Sequence, residues 1–186
     1  MSAITTTDIE EVKLAREAGV LLEIEGRRIA SSNGTIFVGC SDGDQFADLY
    51  RFHTTTCKCD EVRHHPLLLN GGALLLSSNS PITGAKRDGR VLLRHIHVAS
   101  RIKGIKTLVL YTHCPCGVAY GAKLDIFEVV RLLVEAKLRI RLRNGGRGIS
   151  ISCFIHVDYG NRKRTYFVDR IKATEFLKTQ GREIRS

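Results

Sequence analysis

Tryptophan is absent from this chain of 186 residues, and no apolar run approaches the roughly 20 residues that a bilayer-crossing helix needs. A helical membrane protein is thereby excluded. The N-terminus, rich in Ser, Thr and Glu, carries no apolar segment of the kind found in secretory leaders. The expected setting is cytoplasmic and reducing, where six cysteines point to metal or thiol chemistry before disulfides. Acidic residues are in deficit: 19 Asp and Glu face 29 Lys and Arg, for a net charge of +10. Such a chain attracts anions, and nucleic acid, acidic lipid and small anionic substrates all qualify. The basic runs Arg139, Arg141, Arg143, Arg147 and Arg162-Lys163-Arg164 lack the aromatic pattern of an RNA-recognition sheet. They read as solvated faces ahead of a nucleic-acid surface. Gly145-Gly146 has no Walker Lys-Ser ending and reads as a turn. With no internal repeat, the length suits one domain with a real core, or one domain with an appendage.

What is present is an alternation of strand and helix patterns. Thr7-Asp8-Ile9-Glu10 reads as a capping box opening a helix with an apolar face of Ile9, Val12, Ala15 and Ala18, closed by Gly19. Residues 20–30 fit a second helix or an extended arm. A central strand follows the Asn33-Gly34 turn, and then a polar loop or short helix from Gly43 to Arg63. Ala73 to Leu76 is read as a buried strand and 77–87 as a loop. Leu92, Leu93, Ile96, Ala99 and Ile102 have helical spacing, Thr107 to Thr112 is a strand, and Leu124 to Leu138 is a helix. Arg139 to Arg147 reads as a basic link. Apolar residues alternate from Ile149 to Val157, and Gly160-Asn161 turns the chain into Thr165-Tyr166-Phe167-Val168. Asp169 caps a last helix. The fold class is α/β, a mostly parallel central sheet flanked by helices, with an antiparallel edge strand or hairpin near the C-terminus.

Two β-branched runs end abruptly in soft metal ligands: Thr35 to Gly39 runs into Cys40-Ser41-Asp42, and Leu108 to Thr112 into His113-Cys114-Pro115-Cys116. Sites in open α/β sheets form beyond the carboxyl ends of strands. Two such ends side by side would gather Cys40, Asp42, His113 and Cys116. Two thiolates, an imidazole and a fourth position filled by Asp42 or water suit tetrahedral Zn2+.

Cys40-x-Asp42 and His113-x-x-Cys116-Gly117 resemble the β-class carbonic anhydrases, as do Asn70-Gly71-Gly72 (Asn-Ala-Gly in that family) and Ile105 to Leu110. The resemblance covers about residues 30 to 170. It selects Cys116 over Cys114 as the second thiol and implies reversible hydration of carbon dioxide to bicarbonate by a zinc-bound hydroxide. It also implies that residues 1–30 form a helical arm packing on a partner in a homodimer or larger homo-oligomer, with 31–186 the zinc-binding α/β domain. An amphipathic helix ahead of the first core strand likewise needs a surface to cover. The chain departs from the family at Asp44, where an arginine paired to the aspartate is the rule. Asp42 and Asp44 are the candidate catalytic residues, and Arg87, Arg90, Arg94 and Lys58 are candidates to replace the missing cation. Two alternatives remain: a zinc hydrolase of a carbon dioxide analogue (carbonyl sulfide or carbon disulfide), and a non-catalytic zinc-stabilised protein binding an anion or RNA. His53, Cys57, Cys59, His64 and His65 are candidates for a second metal cluster, in a spacing that fits no common zinc signature.

Overall fold

The computed structural model describes residues 3–24, 29–30, 33–58, 63–143 and 148–185. In chain order the elements are α1 (Thr6–Glu17), β1 (Leu21–Glu23), β2 (Ile29–Ala30), β3 (Thr35–Gly39), α2 (Gly43–Thr56), β4 (Cys57–Lys58) and β5 (His64–Leu68). A 3-10 turn (Gly72–Leu76), α3 (Ala85–Lys103), β6 (Thr107–Cys114), α4 (Gly117–Gly121), α5 (Ile126–Arg143), β7 (Ser150–Asp158), β8 (Lys163–Val168) and α6 (Arg170–Thr179) follow. Six strands form one sheet in the order β1-β8-β7-β6-β3-β5, and β2 and β4 make a separate parallel pair. β5, β3, β6 and β7 run parallel, while β8 and β1 are antiparallel to their neighbours. The fold is the mixed α/β architecture that the alternating patterns imply.

Strands β3 and β6 are buried along their whole length. Alternation sends Ile36, Val38, Leu108 and Leu110 to one face, into the larger core under α1, α3, α5 and α6. Phe37, Val109, Tyr111 and Phe154 face the other way, against Leu49, Phe46 and Phe52 of α2. Phe37, Tyr111 and Phe154 stack across adjacent strands, with centroids 4.7 and 5.2 Å apart. A parallel sheet covered on both faces follows from apolar strands of this kind. Among the described residues no helix is long and apolar enough to cross a membrane.

Several expectations are corrected. Ala73–Leu76 is not a strand. Gly71 and Gly72 stand at φ 86° and 48° and turn the chain off the sheet, so the leucines bury all sides of one 3-10 turn between α3 and α5. The strand of that region is β5, just ahead of it. The segment from Gly43 is a full helix, because Phe46, Leu49 and His53 form a narrow apolar stripe within polar sequence. Helix α5 continues to Arg143, carried on by buried Ile140, so Arg139, Arg141 and Arg143 are helical rather than a link. Helix α3 begins at Ala85, inside the expected loop, and its Ile102 is exposed. The N-terminal cap is Thr5 with Asp8, two residues before Thr7 and Glu10: Thr5 Oγ1 accepts from the Asp8 N–H at 3.1 Å, and the Thr5 N–H donates back at 2.9 Å.

Where the sequence predicts a helical arm over residues 1–30, the helix ends at Glu17 and Leu21–Glu23 becomes an edge strand on β8. The β7–β8 hairpin is therefore one strand in from the edge. Val12 and Ala15 of α1 are buried in the chain's own core, and Glu11 accepts the Ile126 N–H of α5 at 2.9 Å. The buried face of α1 thus packs on its own chain, while Ile9 and Leu14 are exposed.

Candidate metal centre

Parallel pairing of β3 with β6 sets their C-terminal ends side by side. Cys40 follows β3, His113 lies in the last turn of pleat in β6, and Cys116 caps α4 just beyond it. One ligand atom from each of these three lies within 4.8 Å of the other two, and all three residues are buried. Ligands held about 2.0–2.3 Å from one tetrahedral centre stand roughly 3.5–3.8 Å apart, so a small inward movement closes the set on a cation.

The imidazole is oriented for that task. His113 Nδ1 lies 2.8 Å from the Pro115 carbonyl oxygen, and a carbonyl only accepts, so the ring proton sits on Nδ1. Nε2 stands on the other side of the ring, buried and without a hydrogen-bond partner. A buried polar atom without a partner costs about 1–3 kcal/mol. A metal ion removes that cost, and a ring N–H held by a backbone carbonyl is how ligand histidines are fixed.

The thiols divide one proton between them. The Cys40 thiol is lowered, first by the hydrogen bond from Cys116, against burial, with help from His113 and the Gly71 N–H, which lies 3.3 Å from its sulfur. Cys116 is pushed up by the proton it donates and by burial. The donor set is thus two thiols joined by a hydrogen bond and one imidazole, groups that give up protons when they bind a dication. These donors fit zinc.

The Cys40 end is pinned by the loop after β5. Ser41 donates to Asn70 Oδ1 at 2.6 Å, and its N–H donates to the Leu69 carbonyl at 3.2 Å. At Gly72 a Cβ would collide with the Cys40 nitrogen and the Gly39 carbonyl carbon, so glycine is what allows the loop to approach. Cys114 points elsewhere. Alternation turns it to the opposite face from His113, under α1, where burial and the charges of Asp8 and Glu11 push its thiol up to about 12.

Asp42 is the N-cap of α2, and its Oδ1 accepts the Asp44 N–H at 3.0 Å. Its other oxygen, Oδ2, stands 3.9 Å from His113 Nε2, beside the three-ligand group. Asp44 is exposed on the first turn of α2. Among the described residues no Lys or Arg lies within ion-pair distance of Asp42. Arg87 pairs with Asp88, Arg90 and Arg94 line a groove between α3 and α5, and the Lys58 side chain lies outside the described residues. A cation that does reach the first turn of α2 is Lys163, which sequence reasoning placed in a solvated run. It pairs with Asp48 at 2.6 Å and Asp158 at 3.5 Å and reaches the Asp44 carbonyl at 3.4 Å. Gln45, one turn into α2, and His156, the register partner of His113, were also missed. Each is buried and keeps one polar atom without a partner, Gln45 Oε1 and His156 Nε2.

The second histidine group does not form a metal site among the described residues, where the Cys40–His113–Cys116 group stands alone. His53 is fully buried between Thr35 (2.7 Å), His64 (3.1 Å) and Tyr111 (3.1 Å), near the start of β3, with the Cys57 sulfur 3.7 Å away. His65 instead meets Lys103 at 2.9 Å. Cys59, Arg147 and Gly145-Gly146 lie outside the described residues.

No family model matches this sequence, and no curated protein matches it. Among solved structures it is similar to the β-carbonic anhydrase CafD of the filamentous fungus Aspergillus fumigatus, at 13% identity over 80% of this chain and 99% of that one, with a TM-score of 0.40. It is also similar to a carbonic anhydrase from Streptococcus mutans, at 14% identity over 89% of this chain and 99% of that one, with a TM-score of 0.42.

Proposed function

We propose that this chain is a zinc lyase that hydrates carbon dioxide reversibly to bicarbonate, with Cys40, His113 and Cys116 as the protein ligands. The observation that carries the reading is the buried, unpartnered Nε2 of His113, turned toward two thiols by the bond from Nδ1 to Pro115. Zinc held by these residues supplies Lewis acidity and lowers the pKa of a coordinated water from ~15.7 toward ~7.

The chain's own residues set the conditions for that chemistry. Cys40 and Cys116 contribute two negative charges once the Cys116 proton has left, which moderates the acidity felt at the open position and favours alkaline activity. The Gly71 N–H offsets part of that charge by donating to Cys40. Asp42 is held by its cap bond so that Oδ2 faces the ligand group, where it can accept a hydrogen bond from water and aim the water's lone pair at the carbon of the substrate. Loss of the arginine at position 44 leaves that carboxylate without a restraining cation.

This last feature favours a second reading. An unpaired carboxylate near a dication coordinates it, and Asp42 in the fourth position would close the site, leaving a structural zinc. The discriminating experiment follows substrate turnover by zinc-loaded protein with carbon dioxide, carbonyl sulfide and carbon disulfide in parallel. Turnover of carbon dioxide supports the lyase. Turnover of a sulfur analogue alone makes the chain a hydrolase, and turnover of none leaves the structural zinc.

A further inference from the structure

A groove between α3 and α5, away from the metal centre, gathers positive charge. Arg90, Arg94 and His97 recur along one stripe of α3, and Arg143 faces them from the end of α5. Leu93, Ile96 and Ile140 form the floor, and the cavity has a volume of about 380 Å³. Arg90, Arg94 and Arg143 are all exposed, and among the described residues none of them is paired with a carboxylate. Some cations elsewhere are paired, Arg131 with Glu128 and Glu135, Arg182 with Asp125, Arg16 with Glu23, and Lys163 with Asp48. Behind the groove, Arg139 donates to the Leu76 carbonyl at 2.8 Å, and burial together with the charges of Arg143 and Arg90 lowers its pKa. Like charges converge here on a concave surface whose lining includes no carboxylate among the described residues.

We propose that this groove binds a compact phosphate ester or polyphosphate carrying at least two negative charges. Guanidinium forks match phosphate oxygens two at a time, and a multivalent anion between three of them relieves their mutual repulsion. The cavity is of the size of small-ligand sites, and its aliphatic floor can take the organic part of such a ligand. A polynucleotide fits less well. The cations converge on one cavity instead of tracking a strand, and the lining has no Phe or Tyr on which bases could stack.

The test is calorimetric titration of the full-length protein with inorganic pyrophosphate, with ATP, and with a single-stranded RNA of ~20 nucleotides. The expected result is one saturable site per chain for pyrophosphate or ATP, with ATP the tighter if the floor contributes. Arg94→Gln and Arg143→Gln should each weaken binding by about tenfold or more, the range of a charge-assisted contact. Arg162→Gln, which removes the same charge outside the groove, should leave it unchanged. All three arginines are exposed, so the variants keep the fold. Absence of saturation by either probe at about 1 mM, equal weakening by Arg162→Gln, or saturable binding of RNA alone would each overturn the proposal. Zinc content and hydration activity do not enter the measurement, so its outcome is separate from that of the metal centre.

Discussion

At the scale of single residues, the centre depends on where one proton and one sulfur point. His113 gives its Nδ1 proton to Pro115 and so offers Nε2, while strand alternation sends Cys114 under α1 and leaves Cys116 for the ligand group. Purified protein should carry about one zinc per chain, measured by elemental analysis. Cys40→Ser, Cys116→Ser and His113→Ala should lose the metal and stability together. Cys114→Ser should keep its zinc, and the reverse pattern would move the second thiol to Cys114. Asp42 and Asp44 allow a sharper test. The Asp44 backbone already holds Asp42 through its cap bond, so a guanidinium at position 44 starts within a residue or two of the carboxylate it should restrain. Asp44→Arg should raise carbon dioxide hydration near neutral pH, because a bidentate pair draws Asp42 off the fourth position. The gain should shrink in alkaline buffer, where hydroxide competes for that position in any case. A fall in rate would show that Asp44 itself serves the reaction.

At the scale of elements, the centre is assembled by three chain segments that end at the same edge of the sheet, and the tightest joint is the turn after β5. Gly72→Ala would drive a Cβ into the backbone at Cys40 from a left-handed φ of 48°. It should destabilise the fold by at least about 3 kcal/mol in urea titration and lower zinc affinity with it. Much of this assembly was legible in the sequence. Apolar β-branched runs ending in Cys40 and His113 mark parallel strand ends, and that inference needs only strand length and burial. The 3-10 turn was not legible, since four consecutive apolar residues suit a buried strand and a buried turn equally, and only the positive φ of Gly71 and Gly72 decides between them. The sequence leaves α2 open between a polar loop and a short helix, because its core-facing stripe of Phe46, Leu49 and His53 is thin. His156 was missed because its place next to His113 comes from the pairing of β6 with β7. Strand β1 is three residues long and exists only because β8 offers it a free edge.

At the scale of the whole molecule, a net charge of +10 coexists with a core that keeps histidines neutral. His53 is fully buried, and burial, aided by neighbouring His64, depresses its pKa to about 3. In the unfolded chain it titrates near 6.5, so below that pH the unfolded state binds the extra proton and stability falls as pH drops toward 3. At pH 5 this residue alone should remove roughly 2 kcal/mol relative to neutral pH, and His53→Asn should show a correspondingly smaller loss in urea titrations at the two pH values. Acid weakness is thus expected of the fold, whereas a preference for alkaline pH is predicted by the proposed centre. The most direct test of the central claim is stopped-flow carbon dioxide hydration by zinc-loaded protein at about pH 7 and about pH 9, beside Cys116→Ser. The account predicts acceleration above buffer in proportion to bound zinc, larger at the higher pH and absent from the variant. Full zinc occupancy with no acceleration at either pH would contradict it.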